Sequence, residues 1–359
     1  MQSRAAVLNS AGQHFRIEKL ELAKLPAHCL LVKTAVSGIC GTDLHALQGT
    51  IEASFPVVLG HEAAGSVVDV GTDVKDISKT DRVAISAITP CLSCENCLSG
   101  KPYLCKRSED VIVEDAMRRD SGQPVYAFFG IGSLSEYLIV PASAAVSVPD
   151  DIPWRVAALM ACGGQTGLGS VFNTAPVTRG DSVVVFGCGT VGLCVIMASK
   201  IAGATPIIAI DTNEKRLDLA HNLGASMSLN PLKTQTVTEL LTATDSGCDF
   251  AFECVGKVDV MEKALQSIKP GGKLVIIGAP AKGAHFAVDA RFLLEGRSIV
   301  GSLAGSVQPR RDYPKWFRLY QEGKLPFDKL FTRKYELENV NRAFEEMAAG
   351  EVTKPIVTF

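Results

Sequence analysis

The apolar run Val183–Phe186, followed at once by Gly187-Cys188-Gly189-Thr190-Val191-Gly192, limits what this chain can fold into more than any other feature. Four consecutive apolar residues suit a strand in a parallel sheet covered on both faces. The residues from Val191 to Ala202 repeat with an apolar helical pattern, so the turn joins a strand to a helix. A lone G-x-G-x-x-G says little, because glycine-rich turns are common. Here a second apolar run, Ile207–Ile210, leads into Asp211, nineteen positions beyond Gly192, and that completes a dinucleotide-binding fingerprint. Gly187 permits the tight turn, Gly189 lets the backbone approach a pyrophosphate, and Gly192 lets helix and strand pack closely. Thr190 and Val191 open the helix, whose positive end receives the phosphates. Asp211 can accept hydrogen bonds from ribose hydroxyls and would repel a 2′-phosphate, which favours NAD over NADP.

The chain around this unit continues in the same style. Strands are predicted at Cys248–Cys254, Lys273–Gly278 and Ser298–Leu303, with helices near Glu239 and over Val258–Ile268. Strand and helix in alternation predict an α/β, doubly wound parallel sheet. The first 150 or so residues read differently. Short β-branched runs such as CLLVKTAVSG and DRVAISA, separated by Gly, Pro and Asp, suit an irregular β-rich domain. After about Ala304 the pattern is mixed, with a helix at Val340–Ala349 and a closing run PIVTF that we expect to return to the first domain. At 359 residues two domains are the natural prior. The predicted division is 1–163 with 304–359, and 164–303.

Composition removes several classes of function. Hydrophobic residues at 47% and charged residues at 21% indicate a soluble globular chain. A formal charge of −2, with no long run of one sign, gives no nucleic-acid face. The amino-terminal stretch lacks a signal-peptide pattern, and no apolar run approaches the ~18 residues that span a bilayer. The expected location is the cytoplasm. In that reducing compartment the eleven cysteines, an odd number, point to metal rather than to disulfides.

Cys91, Cys94, Cys97 and Cys105 follow a C-x2-C-x2-C-x7-C spacing, four thiols within fifteen residues interleaved with Ser, Asn, Gly and Pro. Such a loop can close a tetrahedral four-sulfur shell. With no open position, its zinc contributes folding energy rather than chemistry. The spacing is not one of the standard ferredoxin runs. Cys29, Cys188, Cys194, Cys248 and Cys254 sit in apolar stretches and read as small buried hydrophobes.

Spacing does not select among the remaining candidates, but a resemblance does. G-x-C-G-T-D-x-H from Gly38, P-x3-G-H-E-x2-G-x-V-x2-V-G from Pro56, the four-cysteine run, A-C-G-x2-T-G-x-G-S from Ala161, GCGTVG and a terminal IVTF occur in this order. Together they resemble the zinc-containing medium-chain alcohol dehydrogenases over the whole chain. The likeness is greatest to the branch holding the animal and plant alcohol dehydrogenases and the thiol-adduct formaldehyde dehydrogenases. The resemblance implies a GroES-like catalytic domain beside a Rossmann domain, and two zinc ions with NAD as cofactors. It implies Cys40, His61 and Cys162 as ligands of a catalytic zinc with an open fourth position, and Asp43 as the partner that fixes the tautomer of His61. Glu62 stands behind the metal as support or occasional ligand. Thr42 and His45 become the ends of a proton path from the substrate oxygen through the cofactor ribose. Thr166, Arg216 and Lys354 join the cofactor-binding residues, and Ile51, Ala87, Phe128 and Phe129 the substrate pocket in an interdomain cleft.

Two positions depart from the family pattern. Gly41 stands where many relatives place an Arg or His against the pyrophosphate, which implies looser cofactor binding. Lys354 replaces a frequent Arg and lacks its bidentate fork. The acid and base that mark the glutathione-adduct class correspond here to Ile51 and Glu109, which weakens that reading. Cys162, where the polyol branch commonly has Glu, counts against a polyol enzyme. Ala87 is small where relatives often carry an aromatic residue. The expected reaction is therefore reversible hydride transfer between a medium-sized apolar or aromatic primary alcohol, or its aldehyde, and NAD. The alternatives are a thiol-adduct formaldehyde dehydrogenase, a secondary-alcohol or polyol dehydrogenase, or a catalytically silent NAD- and zinc-binding relative. A homodimer is expected, and a tetramer is also compatible.

Overall fold

Alternation of buried and exposed side chains builds the first part of the chain into β structure, and continuous burial builds the second into a covered sheet. The computed structural model describes residues 1–113 and 115–359. It divides into two units, Met1–Cys162 with Gln308–Gly323 and Phe327–Phe359, and Gly163–Val307 with Lys324–Pro326.

In the first unit the strands Gln2–Leu8, Arg16–Leu22, Met117–Arg118, Pro124–Ala127 and Val57–Val58 close into a small barrel. A seven-stranded sheet lies in the same unit, with the long strand Cys29–Gly38 paired to Glu62–Val70 and to Tyr137–Pro141. The last strand, Lys354–Thr358, pairs antiparallel with Cys29–Gly38, so that Ile356 faces Gly38. This pairing carries residues near the end of the chain to the end of the strand that leads into Cys40.

The second unit holds six parallel strands in the order Met227–Leu229, Ile207–Ile210, Val183–Phe186, Cys248–Glu253, Ile268–Ile276, Ser298–Gly301. This is the Rossmann order, with its reversal beside Val183–Phe186. Val184, Ile208, Ala251 and Leu274 are fully buried in one cluster, as expected for a sheet covered on both faces.

Two features differ from the sequence-based expectation. The division falls at Val307 rather than near 304. The Ser302 hydroxyl bonds those of Ser170 and Thr174, and Thr174 also bonds Ser306, each at 2.8 Å. These bonds keep the segment with the second unit. Residues Pro309–Gln321 form a helix that the pattern did not indicate. Pro309 is acceptable in the first turn, whereas Pro314 removes an interior donor. Burial of Tyr313, Trp316 and Phe317 at i, i+3, i+4 spacing outweighs that cost. Among the described residues no helix is long and apolar enough to cross a membrane.

Candidate metal centre and cofactor turn

Three separate stretches deliver donors to one point in the first unit. Cys40 caps the helix Gly41–Leu47, and its N–H donates to Asp43 Oδ2 at 2.9 Å. Asp43, fully buried, accepts from the Gly60 N–H and from His61 Nδ1 through Oδ1, both at 3.0 Å. This fixes the ring and leaves Nε2 as the free nitrogen. Cys162 lies in a π-helical turn, Met160–Gly164, a local widening often found at functional sites. Its Sγ lies 4.0 Å from Cys40 Sγ. Donor atoms of Cys40, His61, Glu62 and Cys162 all fall within 4.8 Å of one another. A tetrahedral site with Zn–S bonds of ~2.3 Å has S–S edges of ~3.8 Å, so zinc fits the thiol pair.

Electrostatics lead to the same conclusion. The Cys162 contact, with His61 and Lys354, holds the Cys40 thiol well below its ordinary range against the opposing effect of burial. The Cys40 sulfur and burial push the Cys162 thiol well up. Burial likewise raises Glu62, against the pull of Lys354. Two thiolates and a carboxylate in this space therefore need more positive charge than the side chains supply, and a divalent cation supplies it.

Glu62 is fully buried, and its carboxylate forms an ion pair with Lys354, itself only 1% exposed. The Lys354 ammonium also donates to the Ile39 carbonyl at 3.1 Å. A Cβ on Gly38 would lie 2.1 Å from Glu62 Oε2, so only glycine leaves room for the carboxylate. The resemblance assigns Lys354 to the cofactor; in the structure its charge meets Glu62 in the metal centre. Sequence reasoning missed this pair. The only signal was that lysine stands in an otherwise apolar closing strand.

The remaining expected residues of this unit fall at different distances from the centre. Thr42 Oγ1 lies 3.7 Å from Cys40 Sγ. The rings of Phe128 and Phe129 stand edge-on to His61, with centroids 6.0 and 5.2 Å away, and lie 4.4 Å from each other. Phe129 is 48% exposed and adopts a left-handed backbone, φ 54°, unusual for a bulky residue. The Ala87 N–H bonds the Ala161 carbonyl, next to Cys162. Half-buried His45 ends one turn further along the Gly41–Leu47 helix, and its carbonyl accepts from Ile51. At Gly41 a side chain would meet open space.

The four-cysteine loop closes on itself. Sγ separations are 4.0 Å for Cys91–Cys97, 3.5 Å for Cys94–Cys97 and 3.9 Å for Cys94–Cys105, close to the same tetrahedral edge. Backbone N–H groups of Cys94 and Cys91 donate to Cys91 and Cys105 sulfurs at 3.3 Å, and that of Arg107 to Cys105 at 3.4 Å. Hydrogen bonds in the loop favour the thiolates of Cys91 and Cys94, whereas burial pushes the Cys97 thiol up to about 12. The Ser93 hydroxyl and neighbouring amides lower Cys91 to about 6. Four donors without a fifth position suit a structural zinc.

In the second unit, Gly187 adopts φ +92°, and a Cβ on Gly192 would strike the Gly187 carbonyl at 1.9 Å. A Cβ on Gly189 would meet nothing within 4 Å, which leaves the backbone open to a ligand. Gly189 caps the helix Thr190–Ala202, so the turn fits a pyrophosphate. Asp211 is 8% exposed; its Oδ2 accepts from Cys188 N at 2.7 Å and its Oδ1 from Asn213 N at 2.8 Å. Arg216 stands 4.0 Å from the same carboxylate. Thr166 lies in the helix Gln165–Gly169, where its carbonyl accepts from Ser170 at 2.6 Å.

Metal-ready donors in one unit and a dinucleotide turn in the other define a zinc- and NAD-dependent oxidoreductase. The family models of the alcohol dehydrogenase GroES-like domain and of the zinc-binding dehydrogenases match residues 26–150 and 190–322. The chain belongs to the zinc-dependent alcohol dehydrogenases, with zinc and NAD as cofactors. It is 35% identical to the S-(hydroxymethyl)glutathione dehydrogenase of Komagataella pastoris, covering 100% of this chain and 98% of that one. Its fold resembles benzyl alcohol dehydrogenase from Acinetobacter calcoaceticus, with a TM-score of 0.94, 32% identity, and coverage of 100% of this chain and 99% of that one. An alcohol dehydrogenase zinc-binding domain protein from Burkholderia ambifaria gives a TM-score of 0.95 at 32% identity, with the same coverage.

Proposed function

We propose that the chain oxidises a medium-sized aromatic primary alcohol, or reduces its aldehyde, with Cys40, His61 and Cys162 holding the catalytic zinc. The observation that carries the substrate class is the Phe128–Phe129 pair edge-on to His61. These rings give an apolar aromatic wall beside the metal donors and suit a benzyl-type group. Likeness to a benzyl alcohol dehydrogenase supports this reading. When bound, zinc supplies Lewis acidity towards the alcohol oxygen and NAD a hydride acceptor. The protein's own residues orient and deprotonate. Asp43 holds the His61 ring, Thr42 Oγ1 accepts the alcohol proton as its own hydroxyl proton moves on towards His45, and His45 releases a proton to solvent. Lys354 balances the Glu62 charge. The turn Gly187–Gly192 with Asp211 and Arg216 binds NAD, and Thr166 supports its nicotinamide. Cys91, Cys94, Cys97 and Cys105 hold the second, structural zinc.

The second reading is a thiol-adduct dehydrogenase, supported by likeness to S-(hydroxymethyl)glutathione dehydrogenases. Ile51 and exposed Glu109 at the acid and base positions of that class count against it. The test compares kcat/KM for benzyl alcohol, ethanol, S-(hydroxymethyl)glutathione and a polyol with NAD and with NADP, using zinc-loaded protein. Benzyl alcohol with NAD should exceed S-(hydroxymethyl)glutathione by about tenfold or more. The reverse order overturns the aromatic reading, and no turnover with any of them leaves a silent binding protein.

A homodimer accounts for Leu294 and Leu303, 85% and 61% exposed, flanking the outer strand Ser298–Gly301. Left uncovered, such an edge is an aggregation hazard. A cytoplasmic location is part of this reading, supported by eleven cysteines with no disulfide among the described residues.

A further inference from the structure

We propose that Glu253 is a positioning residue for the cofactor, holding Val255 over the phosphate turn; this rests on the reading of Gly187–Gly192 as the NAD site. Glu253 ends the strand Cys248–Glu253 and pairs in register with Phe186, the residue before Gly187. It is fully buried. A carboxylate in such a place needs a compensating role, because burial pushes its pKa up. Its Oε1 accepts from the N–H groups of Val255 and Gly256, both at 2.8 Å. The amides of Lys257 and Gly278 also favour the ionised form. Oε1 therefore gathers two backbone donors of the following loop at one point, while Oε2 is buried with no hydrogen-bond partner among the described residues.

Those donors belong to the loops that follow two adjacent strands, at the carboxyl edge where α/β sheets bind ligands. The Ile277 and Gly278 N–H groups bond the Glu253 carbonyl at 2.9 and 3.0 Å. A Cβ on Gly278 would lie 2.1 Å from Gly256 N, so the two loops run in backbone contact. The Cys254 N–H bonds the Phe186 carbonyl at 2.9 Å and ties the first loop to the turn. The outcome is visible at Gly187, where a Cβ would fall 2.7 Å from Val255 Cγ2. Val255, 37% exposed, thus stands directly over the first glycine of the turn. No charge of Glu253 reaches solvent. Its influence on a bound dinucleotide passes through the placing of Val255.

Glu253→Gln preserves size and one acceptor oxygen but removes the negative charge that strengthens the bonds from the Val255 and Gly256 N–H groups. The dissociation constant for NADH, read from its fluorescence, should rise about tenfold, the worth of roughly one charge-assisted hydrogen bond. KM for NAD should rise with it, while kcat at saturating NAD changes less than about twofold. Val255→Ala, with the carboxylate intact, should raise the constant about threefold through lost apolar contact. A Glu253→Gln protein that melts lower yet binds NADH as the native chain does overturns the proposal. So does native affinity in Val255→Ala, which also decides the matter if Glu253→Gln does not fold. Failure of the native chain itself to bind NADH would overturn the assignment of the turn instead.

Discussion

Cys91, Cys94, Cys97 and Cys105 lie on one short loop, the ends of the cluster 14 residues apart. Cys40 and Cys162 meet across 122 residues, with His61 and Glu62 arriving on a third stretch. The loop cluster is half-exposed and dressed mainly by backbone amides. The other centre has fully buried Glu62 and nearly buried His61 and Lys354 among its members. The difference separates their tasks. A local all-thiol shell ties down its own loop, whereas a centre fed from distant strands is already positioned by the fold and can leave a face open for chemistry.

That contrast is broken or sharpened by substitution. Cys162→Ala should lower turnover by about a thousandfold or more, since the open Lewis-acid site is lost. Metal analysis should then find one zinc per chain with the melting temperature little changed; two zincs at full rate would refute the ligand set. Cys97→Ser should act the other way, lowering the melting temperature by roughly 10 °C because structural zinc is folding energy. Surviving folded protein should keep kcat within about threefold, and loss of turnover at unchanged stability would give the loop a role in the chemistry. The smallest effect is expected from Lys354→Met. With Glu62 left unpaired in the interior, it should change zinc retention against a chelator by about tenfold at the catalytic centre only. Lys354→Arg should restore it, and equal change at both zincs would deny the pairing any special place.

The Rossmann unit and the four-cysteine loop could be read from sequence because both rest on short-range patterns, apolar runs with glycine spacing in one case and close cysteines in the other. The proposed ligands Cys40, His61 and Cys162 could not, since no local period marks residues that meet only in the tertiary fold. Family likeness supplied them. The helix Pro309–Gln321 was hidden by Pro314, whose local cost is outweighed by buried aromatics. The pairing of Lys354 and the place of Glu253 were hidden for a related reason. A charged residue in an apolar strand looks like a pattern error until its partner is seen, Glu62 for one and two loop amides for the other.

The strand Lys354–Thr358 has one more consequence, concerning the order in which the molecule is made. Its lysine bonds the Ile39 carbonyl, 315 residues earlier. During synthesis the donors of Cys40, His61 and Cys162 leave the ribosome long before the ammonium that balances Glu62. Until then Glu62 lacks its counter-charge, so the metal centre reaches its final electrostatic state only when this strand takes its place in the sheet.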